Sequence, residues 1–140
     1  EGAAISLEQC PTGEEAKEFV MATGVDMLAP AVGNIHGMLA SGLNPHLYTD
    51  RAREIREIGG VPLVLHGGSG TDDQDFIKAI DAGMSIIHIN TEIRVAFRDG
   101  LRKSMAEHPD ETTPYKIMKP TITSIQEVVS RRLKLFSKMN

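Results

Sequence analysis

Two histidines in the sequence follow short apolar runs and stand next to glycine. They lie in Gly33-Asn34-Ile35-His36-Gly37 and in Leu63-Val64-Leu65-His66-Gly67. The aliphatic run before His66 is typical of a strand buried on both faces. If the two strands are neighbours, their axes lie roughly 4.8 Å apart, so both imidazoles can share one metal ion. Catalytic zinc commonly has three protein ligands and an open position, so a third ligand must come from elsewhere.

The segment Gly67-Gly68-Ser69-Gly70 directly follows the second histidine and suits a phosphate group beside the metal. Its glycines let the backbone turn tightly and approach a ligand, and Ser69 adds a hydroxyl donor. Thr71-Asp72-Asp73-Gln74 has the pattern of a capping box, which predicts a helix directly after the glycines. The N-terminus of a helix attracts anions. The alternative interpretation is a structural βα loop whose histidine only makes hydrogen bonds.

The elements that position these residues are predicted from the hydrophobic pattern. Strands are predicted at residues 25–32, 61–65 and 85–90, and helices at 12–23, 49–58, 72–82, 91–107 and 120–136. Strands that alternate with helices predict a parallel sheet with right-handed crossovers. We expect all three strands to be buried on both faces. Each ends in polar residues, where α/β folds place their chemistry.

Three such strands are too few to form a closed sheet. An eight-unit (β/α)8 barrel takes roughly 250 residues, so 140 residues hold about half of one. We therefore expect residues 1–140 to be the C-terminal part of a single TIM-barrel domain, with an extra C-terminal helix. The N-terminal half of the barrel would then be missing from this chain.

A third histidine, His88, precedes Asn90 by two residues on the last predicted strand. Strand alternation places both side chains on the same side, inside the top of a barrel. A buried structural histidine and a substrate-contacting one are equally compatible with this position. Asn90 and Thr91 contact phosphate or simply cap the next helix. Glu92 is expected in that capping turn, and Asp75 is expected on the surface near its helix dipole.

Composition narrows the function classes. The net charge of −4 gives no indication of nucleic-acid or membrane binding. Cys10 is the single cysteine, which fits a reducing cytoplasmic location, and no signal peptide or long apolar run is present. No lysine stands at a predicted strand end to form a Schiff base, so carbonyl chemistry here would need an electrophilic metal.

Four segments carry a family resemblance when taken in order and spacing. They are Gly24-Val25-Asp26, Gly33-Asn34-Ile35-His36-Gly37, Pro62-Leu63-Val64-Leu65-His66-Gly67-Gly68-Ser69-Gly70 and Thr91-Glu92-Ile93-Arg94-Val95-Ala96-Phe97. Together they resemble the class II fructose-bisphosphate aldolases and their tagatose-bisphosphate relatives. Residues 115–136 are also similar to the C-terminal helix of that family.

The resemblance implies a zinc-dependent barrel that reversibly cleaves fructose 1,6-bisphosphate to dihydroxyacetone phosphate and glyceraldehyde 3-phosphate, in glycolysis and gluconeogenesis. It implies that His36 and His66 are zinc ligands. The residues implied to bind substrate or its phosphate are Gly37, Gly67, Gly68, Ser69, His88, Asn90 and Thr91. A monovalent cation, Na⁺ or K⁺, is implied near that phosphate.

The same resemblance implies that the remaining zinc histidine and the proton-transferring aspartate lie in the absent N-terminal half. We therefore expect the isolated fragment to be inactive. The expected enzyme is a cytoplasmic homo-oligomer, a dimer or tetramer, that acts on a phosphorylated sugar without nucleic-acid or membrane partners.

The chain departs from the family pattern at two positions in Ile87-His88-Ile89-Asn90-Thr91-Glu92-Ile93-Arg94. His88 replaces an asparagine that contacts substrate, and Asn90 replaces alanine or aspartate. We expect His88 to face the substrate and donate a hydrogen bond to the developing enediolate oxygen. Alternatives are a tagatose-bisphosphate or other ketose-phosphate aldolase of class II, and a non-catalytic barrel that serves as a binding or assembly component.

Overall fold

The computed structural model describes residues 5–39 and 44–139 and has an α/β architecture. The chain divides into two compact units, Glu1–Ile89 and Asn90–Asn140. Within the described ranges the α-helices are α1 (Gly13–Thr23), α2 (Thr49–Gly59), α3 (Asp73–Asp81), α4 (Thr91–Glu107) and α5 (Pro114–Phe136), and the strands are β1 (Leu63–Leu65) and β2 (Met84–Ile87). A short 3₁₀ helix, Leu7–Gln9, precedes α1.

The sheet of the first unit is parallel, as predicted. β1 and β2 pair with Leu65 opposite Ile87, and Leu28 adds an isolated parallel bridge to Leu63 on the other side of β1. The chain therefore passes from the edge to the centre and then to the opposite edge of this small sheet. The three carboxyl ends point in the same direction, so the residues that follow them meet at one end of the unit.

The prediction of a strand over residues 25–32 is wrong, because only Leu28 makes a bridge. Pro30 has no N–H to give to a sheet ladder. The N–H of Val32 donates to the side chain of Asn34 at 2.9 Å, so it is also lost to strand pairing. Local hydrogen bonds have replaced the ladder after Leu28.

Burial on both faces holds for β1 but not for β2. Leu63 and Leu65 are fully buried, whereas Ser85 and Ile86 in β2 are exposed. β2 is an edge of this sheet, so part of its surface has no neighbour within the unit. The buried apolar residues of the first unit are Cys10, Ala16, Val32, Ile35, Leu47, Ala52, Ile55, Leu63, Val64, Leu65, Phe76, Ala79, Ala82 and Met84.

Capping side chains set the starts of α1 and α3 in the first unit. Thr12 and Glu15 form the reciprocal capping box of α1, which confirms that prediction. At α3, however, the N-cap is Asp72 rather than Thr71, and its carboxylate accepts the N–H of Gln74 at 2.8 Å. An aspartate caps as well as a threonine, so the helix starts one residue later than the capping-box pattern predicts.

Asp75 is buried, which contradicts its predicted surface position. Its Oδ2 accepts the backbone N–H of Leu47 at 3.1 Å and lies 2.8 Å from Nδ1 of His46. The carboxylate therefore fastens the segment before α2 onto α3. The carboxylate gives the backbone N–H of Leu47 a hydrogen-bond partner, which this donor would otherwise lack in the protein interior.

The second unit is formed by α4 and α5, which pack closely at Gly100. A Cβ at Gly100 would lie 2.9 Å from the Cα of Thr121. The predicted start of the last helix at Pro120 is wrong, because α5 begins at Pro114 and contains Pro120 in its interior. Pro114 suits the first turn of a helix, where its missing N–H has no intrahelical partner.

Glu92 lies in the first turn of α4, as predicted, and its carboxylate is buried against Arg132 of α5. Both contacts of the bidentate pair, from Nε and from one terminal nitrogen of Arg132, are 2.8 Å long. Arg131 approaches the same carboxylate at 3.9 Å. This pairing fixes α5 on α4 and gives Glu92 a structural role.

Two further properties of the described residues bear on the predictions. None of their helices combines the length and apolar character needed to cross a membrane. Cys10 is a free, buried cysteine, and burial raises the pKa of its thiol above the ordinary value. A thiol in that state is a poor nucleophile at neutral pH.

Candidate active site

Three histidines meet at the carboxyl ends of the strands in the first unit. His66 directly follows β1, His88 directly follows β2, and His36 follows the segment that carries Leu28. The ring centroids of His36 and His66 are 6.2 Å apart, and those of His66 and His88 are 4.4 Å apart. All three residues are exposed.

The Nδ1 atoms of His66 and His88 are 3.2 Å apart, within hydrogen-bonding distance. The two rings are nearly perpendicular, with an interplanar angle of 86°. A hydrogen bond between two imidazole nitrogens requires a proton on one of them and a lone pair on the other. If Nδ1 of one ring carries the proton of this hydrogen bond, Nδ1 of the other ring must be unprotonated.

Asn34 holds the two histidine-bearing segments together through its side chain. Its Nδ2 donates to the backbone carbonyl of His66 at 3.0 Å, while its Oδ1 accepts the N–H of Val32. In the sequence Asn34 stands out only as part of a motif, and this function was not predicted. An asparagine two residues before a histidine at a strand end is the signal that was available, since Asn readily bonds nearby backbone.

Gly67 allows the same two segments to touch. Its φ is +65°, in the left-handed region, and a Cβ there would lie 2.3 Å from the carbonyl oxygen of Ile35 and 3.2 Å from the backbone nitrogen of His36. Only glycine fits both the conformation and the space. The spacing of His36 and His66 thus depends on a missing side chain at Gly67.

Gly68 allows a similarly close approach to the residue that follows β2, His88. Its N–H donates to the carbonyl of His88 at 3.2 Å. A Cβ at this position would meet that carbonyl oxygen at 3.1 Å and the ring of Phe76 at 3.2 Å. The two adjacent glycines therefore bring the loop after β1 against both neighbouring strand ends.

Asn44 is a second functional candidate that sequence reasoning missed. Its Nδ2 donates to the carbonyl oxygens of Gly37 at 2.9 Å and Ser69 at 2.7 Å, and its backbone N–H donates to Gly70 at 3.0 Å. One side chain thus joins the loop after His36 to the glycine-rich loop. No periodicity marks an asparagine in a long loop, so only the folded chain reveals this link.

The glycine-rich loop leads into α3, as predicted. Ser69 and Thr71 are buried, and the N–H of Thr71 donates to Gly68. Gly37 has a φ of +99°, with open space where a Cβ would project. Phosphate binding by Gly37 and by Gly67 to Ser69 stays a prediction.

Asn90 and Thr91 begin the second unit. Asn90 is the exposed N-cap residue of α4, the position that the capping alternative gives it, and its side chain makes no capping hydrogen bond. Thr91 is the half-buried first residue of the helix. Their predicted contact with phosphate is not tested by this geometry and stays a prediction.

The imidazole nitrogens of the cluster are suitable ligands for a zinc ion, but they do not complete its coordination. Imidazole nitrogens are preferred zinc ligands, with Zn–N distances of about 2.0–2.1 Å. Two imidazoles on one ion then have ring centroids roughly 5–6 Å apart, close to the 6.2 Å between His36 and His66. Across residues 5–39 and 44–139, no group of three or more His, Cys, Asp or Glu side chains is arranged to hold a metal ion. At least one further ligand is needed.

Comparison with known proteins places these features in one family. The family model described as fructose-bisphosphate aldolase class-II matches residues 3–140. A probable fructose-bisphosphate aldolase of Bacillus subtilis (strain 168) is 37% identical over 127 residues, which cover 91% of this chain and 44% of that protein.

Solved structures agree with this assignment. The YdjI aldolase of Escherichia coli K12 is 33% identical, with a TM-score of 0.76, over 92% of this chain and 46% of that chain. A putative fructose-1,6-biphosphate aldolase of Coccidioides immitis is 29% identical, with a TM-score of 0.73, over 98% of this chain and 44% of that one. Fructose-bisphosphate aldolase of Campylobacter jejuni, at 18% identity and a TM-score of 0.78 over 93% of this chain and 46% of that one, shows the shared fold.

The chain spans less than half the length of these relatives, 44% of the Bacillus subtilis protein and 46% of the Escherichia coli structure. The matched range, residues 3–140, contains His36, His66, His88 and the glycine-rich loop. The chain therefore belongs to the class II fructose-bisphosphate aldolase family.

Proposed function

We propose that this chain forms the C-terminal half of the (β/α)8 barrel of a zinc-dependent aldolase. The enzyme reversibly cleaves fructose 1,6-bisphosphate to dihydroxyacetone phosphate and glyceraldehyde 3-phosphate, in glycolysis and gluconeogenesis. The observation that carries the proposal is the 6.2 Å approach of the His36 and His66 rings on two loops held together at Gly67, in a chain of this family.

His36 and His66 are the two residues of this chain that would hold the zinc ion. The third ligand and the aspartate that moves the proton belong to the rest of the barrel. When bound, zinc polarises the ketose carbonyl and stabilises negative charge on its oxygen. The Asn34 and Gly67 contacts keep the two histidine backbones in place before the ion arrives, which lowers the cost of organising the site.

The remaining residues of the proposed site bind the substrate. The glycine-rich loop and the start of α3 bind the phosphate of the dihydroxyacetone phosphate half, with Gly37, Asn90 and Thr91 assisting and with Na⁺ or K⁺ nearby. His88 donates a hydrogen bond to the oxygen that gains charge as the C–C bond breaks. The enzyme works in the cytoplasm as a homodimer or homotetramer.

A combined metal and activity measurement on the full-length protein tests this proposal. We expect stoichiometric zinc and cleavage of fructose 1,6-bisphosphate. Faster cleavage of tagatose 1,6-bisphosphate or another ketose phosphate would support the second candidate substrate class. The observation that favours this class is His88, which stands where the family has an asparagine that contacts the substrate. Zinc-free protein without any aldol cleavage would instead support a binding or assembly role.

The glycine-rich loop gives a prediction about phosphate. Ser69→Ala is expected to raise the KM for the bisphosphate, because a lost hydrogen bond to a charged group costs about 1.5–3 kcal/mol. The matched change Asp72→Ala should affect only helix stability, by about 1 kcal/mol, since that carboxylate caps Gln74. Steady-state kinetics and thermal melting separate the two effects. Equal and small changes in KM for both variants would contradict phosphate binding by this loop.

A second prediction concerns residues 1–140 expressed alone. We expect no aldol cleavage, because the chain supplies two zinc ligands and leaves Ile86 of its edge strand exposed. The measurement compares purified 1–140 with the full-length protein in a coupled triose-phosphate assay and in sedimentation. A monomeric, cooperatively melting fragment that cleaves fructose 1,6-bisphosphate would be incompatible with the half-barrel proposal.

A further inference from the structure

We propose that Asn44 is a positioning residue for the phosphate of the substrate. Its side chain holds the glycine-rich loop against the loop that follows His36 and fixes the direction of one peptide group on each loop. This inference rests on the proposed function, in which these two loops bind a phosphate of a ketose bisphosphate. Asn44 acts through the loops and does not itself contact the substrate.

The side-chain amide of Asn44 uses both its donors and its acceptor. Nδ2 donates to the carbonyl oxygens of Gly37 at 2.9 Å and Ser69 at 2.7 Å, and Oδ1 accepts the backbone N–H of Leu39 at 3.1 Å. The reverse orientation of the amide would aim Oδ1 at two carbonyl oxygens and the amino group at an N–H donor. Only one orientation therefore satisfies all three partners.

These bonds determine which way the captured peptide groups face. A trans peptide holds its C=O and its N–H on opposite sides, and no cis peptide occurs among the described residues. Capture of the Ser69 carbonyl therefore turns the N–H of Gly70 away from Asn44. Capture of the Gly37 carbonyl turns the N–H of Met38 away from it in the same manner. Anions bind to backbone N–H groups, so the direction of these peptides matters for a phosphate site.

The glycine-rich loop is the segment that gains most from such a clamp. Glycine loses more backbone freedom on ordering than any other residue. Gly70 has a φ of +86°, and a Cβ there would lie 3.0 Å from the side-chain atoms of Asn44, so the amide lies directly against the loop. A loop that is ordered before the substrate arrives binds it more tightly, because less conformational entropy is lost on binding.

The main chain at Asn44 is anchored independently of its side chain. Its backbone N–H donates to the carbonyl of Gly70 at 3.0 Å. Three residues later, the backbone N–H of Leu47 donates to the buried carboxylate of Asp75 at 3.1 Å. Substitution of the side chain leaves both bonds in place, so it removes the clamp without releasing the segment that carries it.

Steady-state kinetics of the full-length zinc enzyme test this role. Asn44→Ala should raise the KM for fructose 1,6-bisphosphate and the inhibition constant of inorganic phosphate, each by about 5–30-fold, the cost of ordering one more residue on binding. The kcat and the zinc content should stay close to those of the parent. Asn44→Asp keeps an acceptor for Leu39 but places a carboxylate oxygen opposite the carbonyls of Gly37 and Ser69. It should therefore raise both constants at least as much as Asn44→Ala.

Gln126→Glu is the matched control, because it makes the same amide-to-carboxylate change at an exposed residue of α5. Its kinetic constants should equal those of the parent. If the parent cleaves the bisphosphate and Asn44→Ala keeps parental constants, or Asn44→Asp restores them, the proposed function stands and the positioning role is overturned. A loss of zinc or of kcat in Asn44→Ala would place its effect at the metal loop and would also overturn it. A parent without zinc-dependent cleavage would overturn the proposed function together with this inference.

Discussion

Replacement of His36 or His66 by alanine in the full-length protein is expected to abolish zinc retention and aldol cleavage. Catalytic zinc sites commonly have three protein ligands, and the two left after either change cannot hold the ion tightly. Without the ion, no lysine of this chain can activate the ketose carbonyl as a Schiff base instead, because none stands at a strand end. Metal analysis after dialysis and a cleavage assay measure both effects.

The same variants should keep their fold. Both histidines are exposed, so their truncation leaves no cavity in the core around Leu63 and Leu65. Far-UV circular dichroism should match the parent, and His108→Ala, with the same substitution outside the cluster, should bind zinc normally. Parental zinc content and turnover in either ligand variant would show that the metal assignment is wrong.

Gly67→Ala is expected to disrupt the metal site without changing any ligand. The new Cβ would lie 2.3 Å from the carbonyl oxygen of Ile35, a backbone atom that can move only with the segment that carries His36. Overpacking of this kind costs about 1–3 kcal/mol. A shift of about 1 Å in one ligand is enough to reduce catalysis about 100-fold.

Gly60→Ala provides the matched control for this variant. Gly60 also has a positive φ, +76°, but a Cβ there would meet nothing within 4 Å. Its substitution measures the cost of the left-handed conformation alone, about 1–2 kcal/mol, with little effect on zinc affinity. Thermal melting and zinc competition are measured for both variants. The difference between them is the effect of the clash between the new Cβ at position 67 and the carbonyl of Ile35. If Gly67→Ala binds zinc as tightly as Gly60→Ala, the close approach at Gly67 does not control the site.

The sequence by itself determined the local elements and the position of the chemistry along the chain. Leu63 to Leu65 form a buried strand, and the Thr12–Glu15 capping box opens α1, because aliphatic runs and caps act over a few residues. The parallel pairing of β1 and β2 follows from the alternation of strands and helices. The order of the histidine and glycine motifs was also sufficient to indicate the family.

Some local predictions failed where two short-range preferences compete. Residues 25–32 have the apolar content of a strand, but Pro30 and the Val32–Asn34 hydrogen bond end the pairing after Leu28. Asp72 competes with Thr71 for the N-cap of α3 and takes it. The last helix begins at Pro114 although Pro120 looks like a start, because Pro114 also suits a first helical turn, where its missing N–H has no intrahelical partner.

Only the tertiary structure decided which side chains meet. Asp75 lies under His46 and Leu47, Asn44 joins Gly37 to Ser69, and Nδ1 of His66 faces Nδ1 of His88. These partners are 22 to 29 residues apart along the chain, apart from the Asn44–Gly37 pair at a separation of 7. Contacts between separate strand ends depend on the register of the sheet and on the space left at Gly67 and Gly68, and neither is encoded in a local pattern.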